Sequence, residues 1–239
     1  MLLLTLALAP AAALMMFFYL KDRYDPEPKL LVARVFLAGA AVFVPVLAAE
    51  MGLSALGSGT LYSAFVVAAL PEETFKLLAV RLTGYRYKNF DEEMDGIVYS
   101  TAGSLGFATV ENVIYVLQTG AGAGVLRAVL SVPGHALFGV AMGYHLGKAR
   151  FAADPRERAR QAVMSLVVPI LLHGAYDTLL MSGKSWLIAL VVPLMVYMWV
   201  SSLHQIRTAE ENSPFRPPHL RFGGLFKNWR PRGLVRRTP

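Results

Sequence analysis

The sequence contains no cysteine. That excludes disulfides, thiolate nucleophiles, CxxC redox chemistry and cysteine-ligated zinc. Charge is also scarce. Asp, Glu, Lys and Arg make up 16% of the 239 residues, against about 25% in an average soluble domain. Hydrophobic residues reach 55% and the mean hydropathy is +0.47, which argues against both a soluble globule and a disordered chain. There is no HExxH helix, so a zincin-type metal site is absent. There is no GxSxG turn, and no Ser–His pair follows from spacing. No internal repeat suggests a two-fold transporter.

What is present is apolar sequence in long blocks. Seven stretches, 2–20, 30–51, 61–81, 94–118, 125–147, 162–181 and 186–203, each hold 18 or more residues. At helical rise each can cross about 30 Å of hydrocarbon. They predict an all-α polytopic membrane protein, a bundle of about seven transmembrane helices. The first stretch lacks a basic start and stays apolar to Leu20, so it reads as a retained helix rather than a signal peptide.

Lysine and arginine predict the orientation. Segments 21–29, 81–93, 148–161 and 204–239 carry three, three, five and eight of them, out of 23 in all. The intervening loops carry only Lys184. By the positive-inside rule the N-terminus is outside and the C-terminus cytoplasmic. The net charge of +7 then serves topology and the lipid bilayer, and no nucleic-acid partner is expected. Residues 1–203 form the transmembrane helical domain. Residues 204–239, with Pro214, Pro217, Pro218 and Pro231 among basic and aromatic residues, form a partly disordered cytoplasmic tail suited to anionic lipid. Gly139, Gly143 and Gly147 repeat every four residues, which predicts a close helix-packing face.

Against this background a few charges are expensive. Glu72, Glu73 and Lys76 lie in the third stretch, Glu111 in the fourth, His135 in the fifth, and His173 and Asp177 in the sixth. Each charged group at mid-membrane costs roughly 2.5–3.5 kcal/mol on insertion scales, so such residues face the bundle interior and serve function. Counted from the outer end of each stretch, Glu72, Glu73, Glu111, His135 and His173 lie at similar depth, roughly 10–17 Å in at helical rise. That predicts one polar site open to outside water. His173 and Asp177 are spaced i, i+4 and share a face, as do Glu72 and Lys76 and also Phe107 and Glu111. Glu73 is then expected to point about 100° away from the Glu72–Lys76 pair. Glu50 and Arg34 read as interfacial, and His145 lies too near the cytoplasmic end to belong to the site.

A general base needs a carboxylate near water. A catalytic zinc takes three His, Glu or Asp ligands plus a water, and Glu111, His135 and His173 can supply them. The same groups can also hold a water without metal. Both alternatives stay open on this inventory.

At these residues the chain resembles the PrsW family of intramembrane proteases. Pro71-Glu72-Glu73-Thr74-Phe75-Lys76 looks like the family's EExxK motif, and Asp95-Gly96-Ile97-Val98-Tyr99 follows it. Phe107 to Glu111 resembles FxxxE, His135 to Gly139 resembles HxxxG, and His173 to Asp177 resembles HxxxD. The resemblance covers roughly 60–203. The related CAAX prenyl endopeptidases and bacteriocin-immunity proteases carry an EExxxR block, and they have His where Glu111 stands.

The resemblance implies an endopeptidase of the bacterial inner membrane. It would cut single-pass membrane proteins near the extracytoplasmic side, with first-site cleavage of an anti-sigma factor in a stress response as the family's characterised role. Glu72, Glu73, Glu111, His135, His173 and Asp177 are the expected catalytic set. Glu72 would be the base and Glu73 its support. Glu111, His135 and His173 would hold Zn2+ or the water, and Asp177 would orient His173. A proton-coupled transporter using the same buried acids and histidines is the alternative. A non-catalytic scaffold would tolerate charge-neutral changes at Glu72 and Glu73.

Overall fold

A computed structural model describes residues 2–221. Every regular element in them is helical. In order these are α1 (Leu2–Tyr19), α2 (Lys29–Ala41), α3 (Phe43–Ser54) and the single turn α4 (Thr60–Tyr62). A π-helical stretch, Ser63–Ala69, leads into α5 (Leu70–Thr83). Then come α6 (Glu93–Thr119), α7 (Ala121–Val129), α8 (Ser131–Phe151), α9 (Pro155–Met181), α10 (Ser185–Ala189), α11 (Val191–Asn212) and α12 (Pro218–Arg221).

Four runs are long and apolar enough to cross a membrane: Lys29–Ser54, Gly124–Phe151, Pro155–Met181 and Ser185–Asn212. Leu3–Tyr19 is apolar but shorter. The other two predicted spans are the polar helices of the bundle. α5 holds Glu72, Glu73, Lys76 and Arg81, and α6 is rich in Gly, Ser and Thr. The molecule is apolar outside and charged within. Leu30, Val44, Leu117 and Val200 are exposed while Glu72, Glu73 and Lys76 are buried, the arrangement a hydrocarbon solvent selects.

Proline explains where the predicted spans are broken. Pro45, Pro133 and Pro193 are each the third residue of α3, α8 and α11. A proline cannot donate to the carbonyl four residues back. Those carbonyls belong to Ala41, Val129 and Ala189, the last residues of α2, α7 and α10. Pro71 has the same effect upstream of α5, where the lost bond to Val67 falls in the π-helical stretch. The stretch 125–147 is therefore interrupted at Leu130 between α7 and α8, which together still make the single run Gly124–Phe151, and α7 itself begins after Gly120 (φ 85°). Pro10 and Pro169 sit inside helices that continue.

α6 is the central helix, buried from Met94 through Ala108, with α8 against one side and α2 against another. The glycine stripe on α8 makes this contact possible. A methyl at Gly139 would stand 2.8 Å from Ser104 Oγ and 2.9 Å from the Ser100 carbonyl. One at Gly143 would overlap the Gly96 carbonyl. The expected packing face is thus the α6–α8 seam. α9 is capped by Asp154, whose carboxylate accepts from Arg156 N at 3.1 Å, and packs on α8 and on the π-helical stretch. α11 runs past Leu203 to Asn212, so the expected tail begins as helix. Its remainder from Phe222 lies outside the described residues.

Candidate active site

Four helices deliver the polar residues to one cluster. Glu72, Glu73 and Lys76 come from the first two turns of α5, Glu111 from α6, His135 from the start of α8, and His173 and Asp177 from α9. Lys76 is the hub and is fully buried. Its Nζ donates to Glu72 Oε2 at 2.9 Å and Glu73 Oε1 at 2.9 Å, and meets His135 Nδ1 at 3.0 Å. It also stands 4.4 Å from the centre of the Phe107 ring. An ammonium has three N–H donors, and all three are used. His135 then accepts on Nδ1 and carries its proton on Nε2, which donates to Glu111 Oε2 at 2.9 Å.

His173 is held from both sides. Nδ1 lies 2.9 Å from Glu73 Oε1 and Nε2 lies 3.3 Å from Asp177 Oδ2. The Phe138 ring stacks on it, with centroids 4.8 Å apart. The i, i+4 spacing of His173 and Asp177 thus brings them together. Glu73 differs from its expected place. It shares Lys76 with Glu72 instead of pointing away, because at i, i+3 the long lysine stem reaches both carboxylates.

Arg127, which carried no signal in the apolar pattern, completes the cluster. Its Nη2 stands 2.8 Å from Glu111 Oε2, and its Nε donates to Asn112 Oδ1 at 3.1 Å. Asn112 is anchored in turn on the carbonyls of Leu6 and Ala7. A lone arginine in the first turns of a predicted span was the only available hint. Glu50, expected at the interface, is half-buried and lines the cavity with the others. His145 is apart from the cluster and bonds Gln161 Oε1 at 2.6 Å.

The cavity has a volume of about 560 Å³. Glu72, Glu111, Arg127, His135, His173 and Asp177 line it. Glu73 does not, and lies behind with no exposure. Gln118, Glu50 and Met181 line it too. They belong to the ends of α6, α3 and α9 remote from the basic segments.

The residues present suit a metal ion. A ligand atom from each of Glu72, Glu73 and His173 lies within 4.8 Å of the others. Two carboxylates and an imidazole are a donor set of the catalytic zinc type. Glu73 Oε2 is buried with no hydrogen-bond partner among the described residues, and such an oxygen is costly unless something satisfies it. Four carboxylates, Glu72, Glu73, Glu111 and Asp177, face two fixed cations, Lys76 and Arg127. The grouping differs from Glu111, His135 and His173, the set expected from inventory alone. Both ring nitrogens are engaged in each histidine, those of His135 by Lys76 and Glu111 and those of His173 by Glu73 and Asp177.

Comparison with known proteins gives a consistent picture. Residues 27–203 match the family described as PrsW family intramembrane metalloprotease. Protease PrsW of Bacillus subtilis (strain 168) is 41% identical over 204 residues, 84% of this chain and 93% of the relative. Protease PrsW of Geobacillus kaustophilus (strain HTA426) is 40% identical over 210 residues, 87% of this chain and 92% of the relative. No solved structure matches the chain.

Proposed function

Because the chain belongs to the PrsW family of intramembrane metalloproteases, a peptidase of the bacterial cell membrane, we propose that it cuts single-pass membrane proteins at the bundle end remote from its basic segments, and that Glu72 meets the reacting water. One observation carries this reading. Residues from four helices form a continuous polar network on a single cavity, and Glu72 is the member of the Glu72–Glu73 pair that lines it. With seven crossings and the N-terminus outside, that end is extracytoplasmic. Residues 1–203 then act as the protease domain. First-site cleavage of an anti-sigma factor is the role that fits such a cut.

The division of labour follows from the contacts. Lys76 holds the Glu72 carboxylate in place, so its orientation does not depend on substrate. Glu72 takes a proton from the water and returns one to the leaving amine, the work of a general base and acid. Glu73 and Asp177 orient the His173 ring from its two sides. His135 donates to Glu111 and Arg127 forms an ion pair with it on the cavity wall, where both can also meet charge developing on the scissile carbonyl. Were a metal ion held by Glu72, Glu73 and His173, it would replace the direct Glu73–His173 bond, Glu72 would serve as its ligand rather than as the free base, and the ion would supply a Lewis acid that polarises the carbonyl and acidifies the water.

The test is proteolysis in membranes. The protein is co-expressed with tagged single-pass substrates, candidate anti-sigma factors among them, and the fragments are mapped. Wild type should release a fragment cut on the outer side. Glu72→Gln should lower its yield by about 10²–10⁴-fold, the contribution of a general base. A chelator should abolish cleavage and added Zn2+ restore it. Undiminished cleavage by Glu72→Gln would remove Glu72 from the role, and a cut on the basic side would reverse the orientation. No cleavage, together with proton flux that Glu72→Gln abolishes, would favour a transporter.

A further inference from the structure

A second group of buried acids lies at the opposite end of the bundle. Asp22 and Glu27 come from the connection between α1 and α2, and Glu92 and Asp95 from the start of α6. Their exposures are 3%, 3%, 2% and 0%. Three of them form a tight set: a carboxylate oxygen from each of Asp22, Glu92 and Asp95 lies within 4.8 Å of the other two.

Part of this group is accounted for by backbone. Asp95 Oδ2 accepts from the N–H groups of Asp91 and Glu92, both at 2.7 Å. Asp22 Oδ2 accepts from Glu27 N at 3.3 Å, and Glu27 accepts from the Tyr99 hydroxyl. The other oxygens are not. Asp22 Oδ1, Glu92 Oε2 and Asp95 Oδ1 are buried and lack a donor among the described residues when all the carboxyls are ionised, and Asp22 with Glu92, like Glu27 with Asp95, can pair directly only by sharing a proton. So each of the three residues grouped by distance also offers one unsatisfied oxygen. Two nearby arginines have other partners. Arg23 pairs with Glu210 at 3.3 Å, and Arg150 donates to the carbonyls of Phe90 and Tyr85.

We propose that Asp22, Glu92 and Asp95 bind one hard divalent cation, of the Ca2+ or Mg2+ class, which fastens the α1–α2 connection to the start of α6. All the donors are carboxylate oxygens, which suits a hard cation and not a transition metal. Calcium takes oxygens at about 2.3–2.6 Å, and ligands at that radius are at most about 5 Å apart, the span seen here. The site is separate from the cavity of the candidate active site and shares no residue with it.

The test uses the full-length protein in detergent, stripped with EDTA and titrated calorimetrically with Ca2+, and in parallel with Mg2+ and Mn2+. Wild type should bind one ion per chain and gain several degrees in Tm. Glu72→Gln, which alters the other cluster, should keep that ion. Glu92→Gln and Asp22→Asn should each weaken binding at least tenfold. Asp22→Asn leaves the Asp95 bonds at the start of α6 intact, so it reads the site even if changes within α6 disturb folding. A folded wild type that binds none of the three ions at about 1 mM, the weak end of protein calcium sites, would overturn the proposal. So would binding that persists undiminished in both variants, or that is lost in Glu72→Gln instead.

Discussion

The molecule buries two groups of carboxylates, one at each end of α6, and they are built on opposite plans. The cluster around Glu72 and Glu73 encloses a lysine, and Arg127 reaches in from α7. The cluster around Asp22, Glu92 and Asp95 encloses no basic side chain among the described residues and leaves three oxygens unsatisfied. Burying an ion is tolerable only when a partner of opposite charge and full hydrogen bonding repay the lost hydration. The first cluster therefore keeps its shape through its own cations, with only the Glu73 Oε2 oxygen left over, and can keep a reactive carboxylate poised at the cavity. The second depends on something from solution. Chemistry and fastening are thus separated by the length of one helix.

The sharpest way to break this contrast is to remove the built-in cation. Lys76→Met would leave Glu72 and Glu73 buried and unpaired, and would strip His135 of its donor. The expected cost is roughly 3–5 kcal/mol of stability, the scale for breaking a buried pair, together with loss of cleavage. Chemical denaturation in detergent reads the first and fragment yield the second. A Lys76→Met protein as stable as wild type would mean that the lysine is not the counter-ion the geometry describes. A smaller effect is expected at Arg127. Arg127→Gln keeps a donor for Asn112 but removes the charge beside Glu111. Cleavage should fall about 10–100-fold, as for groups that orient a functional ligand, with Tm nearly unchanged. An equal loss of Tm and activity would make Arg127 a structural brace of α7 instead.

The two clusters also differ in how legible they were. Glu72, Glu73, Lys76, Glu111, His135 and His173 stand out because each interrupts an apolar run, where charge is costly. Their common depth followed from counting residues along straight helices, and the structure does bring them together. Asp22, Glu27 and Glu92 sit between runs, where charge is cheap, so hydropathy raised no alarm. Only the fold shows that this connection is buried. Arg127 escaped for a related reason, since one arginine near the end of a stretch reads as a snorkelling side chain. The helix breaks were legible in principle. Pro45, Pro133 and Pro193 each mark one, but Pro10 and Pro169 sit inside unbroken helices, so proline alone does not locate a break.

The gentlest test applies one chemical change to both ends. Carboxylate to amide is nearly isosteric and removes one negative charge. At Glu73 it deletes a partner of Lys76 and His173, so Glu73→Gln should destabilise the protein whatever ions are present. At Asp22 the amide oxygen can still accept from Glu27 N, while the crowding of like charges is relieved. In EDTA, Asp22→Asn should therefore be neutral or stabilising, because repulsion within the cluster is relieved. With millimolar Ca2+ the sign should reverse, because wild type gains a bound ion that the variant holds poorly. Denaturation curves for the two variants, each with and without Ca2+, give four differences. If Asp22→Asn destabilised equally in both conditions, the acids at that end would be acting as hydrogen-bond acceptors only, and the two clusters would not differ in kind.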